Sequence, residues 1–166
     1  MDRGMTGPYN IHNKKRINNL KVQQDAPVIA EAEIEINAPR ESVWEIMTDI
    51  ENWPSWNQDV SKAELKGELQ PGTEFHWKAG PGTIKSQLQV VQPPDEIAWT
   101  GKTMGIKAVH VWQLEDRDGK TLIRTEESWD GLIVKLFKKS MQRTLQGSID
   151  AGLEYLKAEA EKRVAT

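Results

Sequence analysis

The sequence predicts an α+β fold: an antiparallel sheet of about seven strands, two short helices after the first strand, and one long C-terminal helix. Apolar and polar residues alternate first in residues 29–36, and six similar segments follow between residues 60 and 129. From residue 132 onward the apolar residues recur every three or four positions, as they do in a helix. The connections between successive strands are short, so the pairing is antiparallel.

The first strand and the helix after it are predicted by a change of period. In residues 29–36 alanine and isoleucine alternate with glutamate, which is the pattern of a strand with one face in water. Pro39 suits the first turn of a helix, where its missing N–H costs nothing. An apolar stripe with helical spacing runs from Val43 to Ile50 and predicts a helix. A second short helical turn is predicted after it, and Pro54 ends any continuation of the helix.

The middle of the chain alternates between strands and turn signals. The strands are predicted at residues 60–65, 75–77, 84–90, 97–100, 108–114 and 122–129. Glycine and proline separate most of them, and Asp118-Gly119 predicts a tight hairpin between the last two.

The C-terminal helix is predicted over residues 132–163 from one apolar stripe that includes Met141, Leu145 and Ile149. Gly147 and Gly152 interrupt it, and each costs about 1 kcal/mol relative to alanine inside a helix. Two explanations remain open for these glycines: a kink, or a close approach of the helix to the sheet or to a ligand.

Composition limits the class of protein. The chain has 166 residues, the size of one domain, and we expect a loosely ordered polar extension at residues 1–28 followed by one domain at residues 29–166. A net charge of −3 gives no reason to expect a nucleic-acid partner. No apolar run approaches the roughly 20 residues of a membrane helix, and no secretory signal is recognisable, so a cytoplasmic protein without integral membrane association is expected. The oligomeric state stays open.

No metal or cofactor is predicted. The chain has no cysteine, and His12, His76 and His110 do not fall at a metal-ligand spacing. No glycine-rich phosphate loop precedes a helix, and no serine has the context of a nucleophile elbow.

Several short motifs, in this order and spacing, resemble the START-like polyketide cyclase/dehydrase superfamily over about residues 30 to 163. They are Ile36-Asn37-Ala38-Pro39 through Val43-Trp44, Thr48-Asp49, Trp53 with Trp56, Pro71-Gly72-Thr73 with Phe75, Pro93-Pro94-Asp95-Glu96 with Trp99-Thr100-Gly101, and Leu156-Lys157 with Ala160-Glu161. The resemblance implies the helix-grip fold of the birch-pollen allergens. In that fold a curved sheet wraps around the long helix and leaves an apolar cavity between them.

The cavity wall is predicted from the apolar side of each strand and from the helix stripe, with Trp53 and Trp56 near the cavity mouth. The predicted ligand-binding residues are Trp53, Trp56, Phe75, Trp77, Leu88, Trp99, His110, Trp112, Glu127, Met141, Leu145 and Ile149. His110 and Glu127 are ionisable and point inward from neighbouring strands, so they are the candidates for acid/base chemistry. Purely structural roles are the commoner explanation for such groups. His110 would then be a hydrogen-bonded residue of the cavity wall, and Glu127 would cap the end of the long helix or pair with a lysine at the cavity rim.

Three functions are compatible with this pattern. The first is a non-catalytic binder or carrier of a small hydrophobic molecule such as a lipid, an isoprenoid or a polyketide. The second is a cyclase- or dehydratase-like enzyme that uses Glu127 and His110, so whether the protein is an enzyme stays open. The third is a protein-interaction module like the co-chaperone members of the superfamily, which would need an exposed apolar patch.

Overall fold

The computed structural model describes residues 20–166. The strands are β1 (Val28–Ile36), β2 (Val60–Leu65), β3 (Glu74–Ala79), β4 (Gly82–Gln92), β5 (Glu96–Thr103), β6 (Ile106–Arg117) and β7 (Lys120–Asp130). The helices are α1 (Arg40–Thr48), α2 (Trp53–Trp56), α3 (Leu132–Leu136) and α4 (Lys138–Val164), with a short 3-10 turn at Ile50–Asn52.

All seven strands form one antiparallel sheet in the order β1-β7-β6-β5-β4-β3-β2. Only the step from β1 to β2 crosses the sheet, and α1 and α2 make this crossing. The predicted α+β helix-grip fold, with two short helices after the first strand and a long C-terminal helix, is confirmed.

Helix α4 lies along the free edge of β1. The side chains of Gln142, Gln146 and Lys157 donate hydrogen bonds to the β1 carbonyls of Ile29, Glu31 and Glu35 at 2.7, 3.1 and 2.9 Å. These carbonyls have no strand partner on that side, so the helix satisfies the edge and protects it from pairing with another chain.

The predicted helix over residues 132–163 is divided at Phe137, where the backbone leaves helical geometry (φ −116°, ψ 34°) and separates α3 from α4. Helix α4 is continuous through both Gly147 and Gly152. Its 27 residues correspond to a length of about 40 Å.

Strand β4 contains an irregularity that moves one predicted side chain to the other face. The sequence alternation places Val90 on the same face as Leu88. The register with β5 shifts between these two residues, so one extra residue turns Val90 to the outer face. There it packs with Ala98, Val109 and Val111.

The segment before β1 lies against this outer face. Val22 is only 3% exposed and packs on the outer apolar cluster, and the Gln23 backbone N–H donates to Ser128 Oγ at 3.2 Å. Most of the predicted extension, including His12 and the basic residues 14–16, lies outside the described residues. The domain boundary after residue 28 stays a prediction.

Candidate functional site

A cavity of about 750 Å³ lies between the inner face of the sheet and α4. Its volume is within the usual range for a site that holds a small organic molecule. Strands β3 to β7 line one side, α2 and its following loop line one end, and α3 and α4 line the other side. Six of the seven tryptophans contribute to the wall, and Trp44 is the exception.

The aromatic wall is organised around Trp53 at the start of α2. Its ring lies 5.6 Å from that of Trp77, in an edge-to-face arrangement, and 5.9 Å from that of Trp99. The Trp53 indole N–H donates to the Met47 carbonyl at 2.9 Å, and the Trp77 indole N–H donates to Ser86 Oγ at 3.1 Å. Both polar ends are therefore satisfied within the protein, and the rings supply apolar surface.

Nine of the twelve predicted ligand-binding residues line this cavity. They are Trp53, Trp56, Trp77, Trp99, His110, Trp112, Glu127, Met141 and Ile149.

Phe75, Leu88 and Leu145 lie in the core instead, and each is fully buried. Phe75 packs edge-to-face against Trp53 and Trp99, which separate it from the cavity. Leu145 packs against β1 and α3, because α4 is rotated so that its apolar stripe meets the edge strand.

Besides the apolar Met141, Ile149 and Leu156, α4 presents small or polar residues to the cavity: Thr144, Gly147, Ser148 and Gly152, with Arg143 beside them. Sequence analysis did not assign Thr144 or Ser148 to the site. Their spacing of four residues was the available signal, since it places Thr144 and Ser148 on one helix face. A Cβ atom added at Gly147 or Gly152 would meet no heavy atom within 4 Å, so both glycines widen the cavity.

His110 and Glu127 are direct partners across β6 and β7. His110 Nδ1 lies 3.2 Å from Glu127 Oε2, and both side chains are largely buried, with 9% and 14% exposed. On the other side of the ring, His110 Nε2 lies 2.8 Å from Thr125 Oγ1. The Trp129 indole N–H donates to Glu127 Oε1 at 2.8 Å.

The hydrogen bonds indicate the tautomer of His110. Thr125 has one hydroxyl hydrogen and donates it to the Val111 carbonyl at 3.1 Å. It must therefore accept a hydrogen bond from His110 Nε2–H. A neutral imidazole with this tautomer accepts at Nδ1 from a protonated Glu127, whereas an imidazolium would donate from Nδ1 to a carboxylate.

The burial of both groups favours the same neutral pair. Burial raises the pKa of Glu127 to about 7, against an opposing effect of the Trp129 hydrogen bond. Burial lowers the pKa of His110 to about 3. Below pH 7 the pair is therefore an uncharged carboxylic acid beside an uncharged imidazole in an aromatic wall.

Neither a metal site nor a membrane-spanning helix is found in residues 20–166. No group of three or more histidine, aspartate or glutamate side chains in this range could hold a metal ion. None of the helices formed by these residues is long and apolar enough to cross a bilayer.

The family model described as "Polyketide cyclase / dehydrase and lipid transport" matches residues 27–161. The chain belongs to this family. The match confirms the resemblance expected over residues 30 to 163 and leaves out almost all of the predicted N-terminal extension.

Solved structures similar to this polyketide cyclase/dehydrase family member share its fold at low sequence identity. A hypothetical protein from Helicobacter pylori has a TM-score of 0.75 at 17% identity, over 87% of this chain and 98% of that one. The Zhui aromatase/cyclase from Streptomyces sp. R1128 has a TM-score of 0.71 at 18% identity, over 82% and 94%. A START superfamily protein from Mycobacterium smegmatis has a TM-score of 0.64 at 13% identity, over 81% and 97%. No curated protein sequence matches the chain significantly.

Proposed function

We propose that this protein binds a small, uncharged hydrophobic molecule, such as a lipid, an isoprenoid or a polyketide, in the cavity between the sheet and α4, as a non-catalytic binder or carrier. The observation that carries the proposal is the composition of the wall: six tryptophans surround about 750 Å³ of space. A folded protein fills its interior unless the space has a use, because each void forfeits packing contacts.

The neutral state of His110 and Glu127 supports an uncharged ligand. A ligand with a buried carboxylate or ammonium group would need an opposite charge beside it. The two ionisable groups on the sheet side of the wall are each uncharged below pH 7, Glu127 as a carboxylic acid and His110 as a neutral imidazole. A polar end of the ligand would lie toward Lys102 and Arg143, which are exposed and line the cavity.

The completeness of the hydrogen-bond network supports a binder over an enzyme. Both nitrogens of His110 and both oxygens of Glu127 already have partners. A catalytic base with a free lone pair aimed at the ligand is missing from this network.

The test is a titration of tryptophan fluorescence in the full chain with an isoprenoid quinone, a long-chain fatty alcohol and a polycyclic aromatic ketone. At least one of the three should give saturable quenching. Gly152→Leu should weaken it because the new side chain enters the cavity. Ala158→Leu, the same kind of change at an exposed position of α4, should not. If none of the three ligands gives a saturable response, the proposal is overturned.

A second function, cyclase- or dehydratase-like catalysis, is favoured by one observation: Glu127 is a buried acid with a pKa near 7. It can give its proton to a leaving hydroxyl group, while His110 Nδ1, freed by that transfer, accepts the proton removed from carbon. Water leaves, and the 3.2 Å contact lets the proton return from His110 to Glu127. Glu127→Gln should then abolish water loss from a β-hydroxyketone without weakening its binding, and unchanged turnover would exclude this role.

A further inference from the structure

The exposed apolar residues of the protein are concentrated beside the cavity. Six large hydrophobic side chains are exposed among residues 20–166, and five lie on two segments, the β5–β6 turn and α3 with the residue after it. We call these five the mouth patch: Met104, Leu132, Ile133, Leu136 and Phe137, exposed by 69, 74, 37, 69 and 57%. The sixth, Val164, is at the C-terminal end of α4.

The two segments are in contact and are held in place. A Cβ atom added at Gly131, just before α3, would lie 2.3 Å from the carbonyl oxygen of Gly105 in the turn, so the two backbones touch. Val134 is fully buried and packs with Val28 and Leu145. Helix α3 is therefore anchored by its inner side chain, while Leu132 and Leu136 on the opposite side stay in water.

Charge is segregated in the same place. Residues 102–107 and 131–143 contain six basic residues and no acidic one, in a chain whose net charge is −3. The six are Lys102, Lys107, Lys135, Lys138, Lys139 and Arg143. Of these, Lys135 pairs with Asp130 at 3.5 Å.

The mouth patch adjoins the opening of the cavity. Met104 and Ile133 line the cavity and belong to the patch, and the basic residues Lys102 and Arg143 line it as well. A surface that covered the patch would therefore also face the cavity opening.

We propose that the mouth patch docks on a bilayer that contains anionic phospholipid, and that docking turns the cavity opening toward the lipid. Exposed leucine and phenylalanine side chains surrounded by lysines combine apolar insertion with attraction to an anionic surface. A second copy of the chain fits less well, because a two-fold dimer through this patch would place the same lysines opposite each other. Docking does not depend on which ligand the cavity holds.

The test is sedimentation of the full chain with vesicles of phosphatidylcholine alone and of phosphatidylcholine mixed with phosphatidylglycerol. Binding is expected to the mixed vesicles, to weaken with added salt, and to fall about tenfold or more in Leu136→Gln/Phe137→Gln and in Lys138→Ala/Lys139→Ala. Two matched controls should bind as the wild type does: Val164→Gln, and Lys62→Ala/Lys78→Ala on the outer side of β2 and β3.

Several outcomes overturn the docking proposal. They are no sedimentation with either vesicle, equal binding to both, an equal loss in the control variants, and a wild-type dimer that Leu136→Gln/Phe137→Gln makes monomeric. Fluorescence titration of the same variants separates this proposal from the proposed function. If vesicles fail to bind while a cavity ligand still quenches, only the docking is wrong.

Discussion

Glu127 Oε2 lies 3.2 Å from His110 Nδ1, and a threonine on the far side of the imidazole accepts a hydrogen bond from Nε2–H and so leaves Nδ1 facing the carboxyl group. Because the Thr125 hydroxyl donates to a backbone carbonyl, it accepts from Nε2–H, and Nδ1 is left to accept from the carboxylic acid. Burial disfavours the charged form of each group, so the pair is neutral below pH 7. Each variant that breaks one of these contacts has a distinct expected effect.

The hydrogen-bonding role of Glu127 can be separated from its charge. Glu127→Gln keeps a donor for His110 Nδ1 and an acceptor for Trp129 Nε1–H, so its free energy of unfolding near pH 4, where Glu127 is protonated in both the folded and the unfolded state, should match that of the wild type. Glu127→Ala leaves both partners unsatisfied and should cost about 1–3 kcal/mol. Chemical unfolding measures both. Glu126→Ala, on the opposite face of β7, is the control and should change stability by no more than about 0.5 kcal/mol.

The two members of the pair should have opposite effects on stability as pH changes. The pKa of His110 falls from 6.5 to about 3 on folding, so its contribution is present above pH 6.5 and is lost as pH falls toward 3. The pKa of Glu127 rises from 4.5 to about 7, so its contribution is present below pH 4.5 and is lost as pH rises toward 7. Between pH 4.5 and 6.5 the two nearly cancel in the wild type.

Single substitutions should reveal each effect in urea unfolding curves between pH 4.5 and 6.5. In Glu127→Gln only the histidine effect remains, so the free energy of unfolding should increase with pH. In His110→Gln only the carboxyl effect remains, so it should decrease. Slopes of the same sign in both variants would contradict the neutral pair.

Sequence periodicity predicted the strands, the helices and the inward positions of His110 and Glu127, because these depend on which face a residue occupies. It did not predict which inward-facing positions of a strand line the cavity and which lie in the packed core. Phe75 and Trp77 share a face, yet Phe75 is in the core and Trp77 lines the cavity, because the curvature of the whole sheet determines how far a position lies from α4. It also did not predict the rotation of α4, which depends on hydrogen bonds to the edge of β1.

Replacing a glycine that lines the cavity with alanine should stabilise the protein, whereas the same replacement at Gly131 should destabilise it. Gly147→Ala and Gly152→Ala should each raise the free energy of unfolding by about 0.5–1 kcal/mol, because the added methyl group enters open space in a helix. Gly131→Ala should destabilise the protein, because φ there is +140° and the new Cβ would lie 2.3 Å from the Gly105 carbonyl oxygen. Thermal or chemical unfolding of the three variants gives the comparison, and a loss of stability at position 147 or 152 would contradict the open geometry.

Aromatic residues of the core should contribute mainly to stability, whereas those of the cavity wall should contribute more to ligand affinity. Phe75→Ala removes a fully buried ring and should cost about 3–5 kcal/mol, with little effect on the affinity of a cavity ligand at temperatures where the variant is folded. Trp56→Ala removes a partly buried wall residue, so it should cost less stability and weaken ligand binding more. Unfolding curves and fluorescence titrations of both variants test this contrast. Weaker binding in Phe75→Ala than in Trp56→Ala would place the ligand elsewhere.

Val22 tests where the folded domain begins. Its side chain is 3% exposed and covers Val109 and Val111 on the outer face of the sheet. Val22→Ala should therefore lower the free energy of unfolding by about 1–2 kcal/mol, whereas Lys21→Ala, at an exposed neighbouring position, should have almost no effect. Equal stabilities for the two variants would mean that the segment before residue 28 is independent of the domain. A selective loss at Val22 would mean that the domain includes it, because only a segment packed on the sheet can transmit the loss of two methyl groups to global unfolding.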